Sequence, residues 1–114
     1  MMQLRDLKGP FHLSDDAIDR QVEPRRAGVF VLWRPGFADF DYVFTNRSEF
    51  DVNNQLHVYV GDYWFFSYQV CASEEEAFDA ECHLWHDLKP ANNPAHPARR
   101  AKSAWKCPRC GLFG

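Results

Sequence analysis

The chain has 114 residues, 46% hydrophobic and 16% aromatic, and a formal charge of −3. These values suit one domain with one core and exclude a disordered chain. No apolar run approaches the roughly 20 residues of a membrane span, and Met1-Met2-Gln3-Leu4-Arg5-Asp6 lacks the form of a secretory leader, so the expectation is a cytoplasmic protein with no membrane partner.

Residues 1–26 read as a lead-in, in which Ser14-Asp15-Asp16 caps a short helix through Ile18 and Val22 that Pro24 stops. Gly28 to Trp33 is a continuous apolar, β-branched and aromatic run, the pattern of a buried strand. Arg34-Pro35-Gly36 is turn punctuation, and Asp41 to Thr45 follows as a second strand, so the two should pair as an antiparallel hairpin. Asp51 is placed to cap a helix over about Val52 to Val60, with Gly61 as its stop. Trp64 to Cys71 is a third, aromatic strand.

A long amphipathic helix then runs from Ser73 to about Leu88. Ser73 and Glu76 form a capping box, and Glu74, Glu75 and Glu76 place negative charge at the positive end of the helix dipole. Its apolar stripe is Ala77, Phe78, Leu84, Trp85 and Leu88, and Glu81 falls inside it. A carboxylate on the core side is costly unless it is paired, bound to metal or set at the rim of a cleft. The predicted class is therefore α/β of the α+β kind: a small three-stranded mixed or antiparallel sheet with helices in β-β-α-β-α order. A core over 27–91 is followed by a tail over 92–114.

Four cysteines in a reducing setting favour thiols or metal over disulfides. Cys107-Pro108-Arg109-Cys110-Gly111 offers two thiolates at the spacing of a zinc knuckle, with a glycine for the turn. Cys82 and His86, four apart on one helical face, are the natural second pair; His96 is the rival for the last place and His83 a weaker one. Such a closed set implies structural zinc pinning the tail to the long helix, whereas Cys71 reads as core. Beyond Leu88 lie six basic residues and no acidic ones, leaving seven basic against sixteen acidic in the first 88. Arg99, Arg100, Lys102, Lys106 and Arg109 are thus candidate contacts to a polyanion.

Over about Gly28 to Leu88 the arrangement resembles the GIY-YIG nuclease superfamily, and a small bacterial and phage subgroup extends the likeness through the tail. The residues that carry it are Gly28-Val29-Phe30, Tyr42-Val43-Phe44, Asn46-Arg47-Ser48, the helix Asp51 to Leu56, and Glu75 to Glu81. In the tail they are Asn92, Asn93, His96-Pro97 and Trp105 to Cys110. The resemblance implies phosphodiester hydrolysis: a tyrosine that helps activate water, an arginine that stabilises phosphate, and a glutamate that holds Mg2+ or Mn2+. Glu81 and Tyr42 match two of these roles. Phe30 stands where the first-strand tyrosine would be and Gln55 where the arginine would be, so two roles are vacant, with Arg47 as the nearby substitute.

The leading expectation is a degenerate nuclease-like domain that binds nucleic acid, DNA in the first place, or a nucleic-acid-handling protein. Exposed aromatics such as Trp64 or Trp105 would stack or anchor. A second reading is an active metal-dependent endonuclease using Glu81, Tyr42 and Arg47, and a third is a zinc-stabilised adaptor.

Overall fold

A computed structural model describes residues 7–35, 40–90, 92–93 and 95–112, with side chains in β-structure given outside 35–43. Its elements are β1 (Lys8–His12), α1 (Asp15–Gln21), β2 (Gly28–Pro35), β3 (Phe40–Ser48), α2 (Val52–His57), β4 (Phe65–Val70) and α3 (Glu74–Leu88). The strands form one antiparallel sheet in the order β1-β4-β2-β3. The result is an α+β domain with one strand more than the sequence reading expects. That strand lies in the lead-in: Lys8-Gly-Pro-Phe-His has no β-branched residue, carries Gly9-Pro10 and offers only Phe11 as a strand former, so its strand signal is weak. An outermost strand is where a proline, which donates no amide hydrogen, is tolerated.

The central strand β2 explains the layering. Its unbroken apolar run is buried on both sides, as a strand with helices over each face must be. Phe30 and Leu32 point to one face, where they join Ile18 and Val22 from the α1 segment, Val52 and Leu56 from α2, and Phe66 and Tyr68 from β4. Val29, Val31 and Trp33 point to the other, against Ala77, Ala80 and Leu84 of α3. Gly28 is required at the start of β2: a Cβ there would come within 2.5 Å of the Gln69 carbonyl oxygen and 3.3 Å of Val52 Cγ1.

The helix ends follow the local signals. Ser14, Asp51 and Ser73 each accept an amide hydrogen from the first turn, from Ala17, Asn54 and Glu76 respectively. The Glu76 carboxylate reaches back to the Ala72 amide at 3.1 Å, one residue earlier than the usual box. The second helix is shorter than expected, ending at His57. The third ends at Lys89, whose left-handed φ of 46° turns the chain away.

The tail then folds back over α3 and the outer side of β3. Because β3 is the last strand of the sheet, its outward backbone groups lack a strand partner. Asn93 meets this need at one residue: its Oδ1 accepts from the Thr45 amide at 2.7 Å and its Nδ2 donates to the Thr45 carbonyl at 2.9 Å. Trp85 Nε1 donates to the Asn93 carbonyl at 2.8 Å, which ties the same residue to the helix. A third apolar cluster, Phe78, Cys82 and Cys107 with half-buried Trp105, seals the tail to the outer face of α3.

Candidate functional site

Two constellations lie side by side along α3, one including His86 and the other Glu81. The first is a metal-ligating group. His86 from the last turn of α3, His96 from the returning chain, and Cys107 and Cys110 from the knuckle bring four ligand atoms within 4.8 Å of one another. Cys107 Sγ lies 3.4 Å from His86 Nε2, and Cys110 Sγ 3.5 Å from His96 Nε2. Bond lengths of about 2.3 Å to sulfur and about 2.05 Å to nitrogen at a tetrahedral angle put a sulfur–nitrogen edge near 3.5 Å, close to the length of both the Cys107–His86 and Cys110–His96 edges, so the group could hold one metal ion.

The surroundings prepare the ligands. His96 Nδ1 lies 2.8 Å from the Pro97 carbonyl, so that nitrogen carries the proton and Nε2 keeps its lone pair for a metal. Burial pushes the Cys107 thiol up, but the amide hydrogens of Cys110 and Arg109 and the imidazoles of His96 and His86 outweigh it and bring the thiol down to about 6. The knuckle closes through Gly111, at φ 74°, whose amide donates to the Cys107 carbonyl at 3.0 Å.

Cys82, expected as a ligand, is not among the four; His96 holds the place assigned to it. The i, i+4 spacing puts Cys82 and His86 on one face, but the Cys82 thiol is sealed under the tail beside Cys107, and burial followed by the Cys107 charge pushes its pKa strongly up. His83 is buried elsewhere: burial, then Arg109, holds its imidazole below the ordinary value. Cys71 is core, as expected.

The second constellation is centred on Glu81. Arg47 faces it because Arg47 stands opposite Val29 in the hairpin and so shares the α3 face of the sheet. Arg47 Nη1 donates to Glu81 Oε1 at 2.6 Å and Nη2 to Glu49 Oε2 at 3.3 Å. Arg100 Nε from the tail donates to the other oxygen of Glu49 at 2.6 Å, and Arg100 Nη2 lies 3.5 Å from Glu74. The chain of alternating charge is walled by aromatic rings: the Arg47 guanidinium is 5.1 Å from the Phe78 ring and 6.0 Å from Trp105, and Arg100 is 5.1 Å from Trp105 and 5.6 Å from Phe50. Arg47 Nε is buried with no hydrogen-bond partner among the described residues. Glu81 is only 5% exposed; burial raises its carboxyl above the ordinary value, and Arg47 pulls it partly back.

A cleft of about 470 Å³ opens over this pair, lined by Asn46, Arg47, Ser48, Glu49, Phe50, Gln55, Glu81 and Ala98. It sits at the end of β3, the outermost strand, where residues from both faces of the sheet come within reach of one another. Glu81, Arg47 and Gln55 are thus brought together. Phe30 is not: strand alternation turns it to the opposite face, beside Phe44 and Tyr59. The side chain of Tyr42 lies outside the described residues, although its backbone pairs with Trp33.

The basic tail is partly committed to ion pairs. Arg100 is held by Glu49, and Arg109 Nη1 lies 2.7 Å from Asp87. Arg99 donates to the Trp105 carbonyl at 3.2 Å and is exposed, as are Lys102 and Lys106. Trp64 is exposed, whereas Trp105 is packed against Phe78. Sequence reasoning missed Glu49, which sits in no motif, and it named Asn93 only within the tail resemblance, not as the partner of Thr45; the bonds to Arg100 and to Thr45 that give these two residues their roles span long separations in sequence. No helix among the described residues is long and apolar enough to cross a membrane. In comparisons with known proteins, no family model, no curated protein and no solved structure matches this chain.

Proposed function

We propose that this chain is a zinc-fastened GIY-YIG-like domain whose cutting chemistry is degenerate and which works by binding nucleic acid, DNA in the first place. The observation that carries this reading is the buried Arg47–Glu81 pair at the cleft floor. In a hydrolytic centre of that type the carboxylate faces a divalent cation. Here a guanidinium occupies that electrostatic position, 2.6 Å from Oε1, and repels a second positive charge brought to the same oxygen. Phe30 lacks a hydroxyl and lies on the opposite face of the sheet, and Gln55 carries no charge, so among the described lining residues a developing phosphate charge meets no cation beyond the already paired Arg47.

Binding asks less of the site. Arg99, Lys102 and Lys106 lie in the loop between His96 and Cys107, and Ala98 of that loop is part of the cleft wall. The metal is zinc in this reading and its role structural: two thiolates and two imidazoles fill a tetrahedral ion and leave no open position for substrate.

The test is incubation with supercoiled plasmid and single-stranded DNA in Mg2+ and Mn2+, alongside a salt series on oligonucleotide binding. The expected result is no nicking, with affinity falling as salt rises; three cations on a single strand give a log–log slope of about −2. Nicking that Glu81→Ala abolishes establishes the endonuclease reading instead. Absence of binding at any salt leaves the adaptor reading.

A further inference from the structure

The charges inside the cleft are at odds with the idea that it holds a phosphate. Glu49 and Glu81 both line it, and Arg47, the one cation among its lining residues, is already shared between them at 3.3 Å and 2.6 Å. A phosphate entering would meet two carboxylates around one committed guanidinium. The rest of the lining suits a flat, uncharged polar group. Phe50 is 70% exposed at the cleft, and Arg100 stands 5.6 Å from its centroid. Gln55 brings a side-chain amide to the cleft. Asn46 brings another, whose Oδ1 accepts from the Arg47 amide at 2.9 Å and whose nitrogen is left as a donor. Amides can pair with the edge of a base, and an exposed ring offers a stacking surface to its face. A volume of about 470 Å³ falls in the range of pockets that enclose small molecules.

From this we infer that the cleft takes one unstacked base of a single-stranded nucleic acid, with Phe50 as the stacking platform and Gln55 and Asn46 reading its edge. The backbone phosphates stay outside, against Arg99, Lys102 and Lys106. This inference rests on the nucleic-acid reading above and narrows it: the preferred ligand is single-stranded, because a base held in a duplex cannot enter.

The experiment measures binding of three labelled probes of equal length to the metal-loaded protein by fluorescence anisotropy: a mixed-sequence DNA single strand, the same strand with abasic sites throughout, and the duplex. The single strand is expected to bind about tenfold more tightly than the abasic strand. Phe50→Ala should remove that advantage while the salt dependence stays as in the wild type. Lys102→Ala with Lys106→Ala should weaken all three probes alike and flatten the salt dependence. Phe50 is largely exposed, so its loss should leave the fold intact, which circular dichroism checks. Equal binding of the base-bearing and abasic strands overturns the inference and leaves the nucleic-acid reading standing. A lack of salt-dependent binding to any probe overturns both.

Discussion

Glu81 shows how a single residue can look catalytic in sequence and be structural in its bonds. An acid inside an apolar stripe must find a cation, and Arg47 meets it across the sheet with less than an eighth of either side chain exposed. Breaking such a pair leaves a charge in the interior, whereas replacing both partners with apolar groups of like volume is close to neutral. Arg47→Ala should therefore cost about 3–5 kcal/mol, because Glu81 keeps its burial and loses its partner, while Arg47→Met with Glu81→Met should cost less than about 1 kcal/mol. Glu49 is spared in both variants, since Arg100 still holds it. Urea unfolding of the three proteins checks this; a double variant as unstable as the single one would mean that the pair itself, not the orphaned charge, supports the fold.

At the scale of elements, α3 and the tail depend on each other. The loop between His96 and Cys107 carries Ala98 to the cleft and Arg100 to Glu49, and the four metal-ligating residues close its two ends onto the helix. A metal there adds its binding free energy to the ordering of the tail. Elemental analysis of the purified protein should find about one zinc per chain, retained in Cys82→Ala and lost in His96→Ala. Chelation should speed proteolysis after Leu88 and change tryptophan emission, since Trp105 packs on Phe78 and Trp85 lies 5.1 Å from His96. The far-ultraviolet dichroism of the sheet should change little, because Asn93 and the two larger clusters lie outside the ligand set.

At the scale of the whole molecule, three layers hold together: α1 and α2, the sheet, and α3. The outer layer has an electrostatic clasp in His57 of α2, whose Nδ1 lies 2.5 Å from Asp15 and Nε2 2.9 Å from Asp19 on α1. The hydrogen bond to Asp15 leads in holding the His57 pKa above its ordinary value of 6.5, against a loss from burial. The folded state therefore binds this proton more tightly than the unfolded one, so the contribution is complete below the unfolded value and disappears as pH rises through the folded one. The stability difference between wild type and His57→Gln should be larger near about pH 5.5 than near about pH 8.5. Urea midpoints at the two pH values measure it, and a difference that grows with pH would contradict the clasp.

Local chemistry is what the amino-acid order determined by itself. Caps at Ser14, Asp51 and Ser73, the two-faced burial of Gly28 to Trp33, and the knuckle at Cys107 and Cys110 are all written in neighbours within a few residues of one another. Pairing across long separations was decided only by the tertiary structure. The choice of His96 over Cys82 depended on how the chain returns after Lys89, and the partnership of Glu81 with Arg47 on strand register. The added strand, β1, depended on the open side of β4, which accepts a segment whose only strand-favouring residue is Phe11. Caps and periodicity act through bonds that close within one or two turns, so a linear reading recovers them. A metal tetrahedron or a buried ion pair is a solution to packing, and its members are known only once the layers have met.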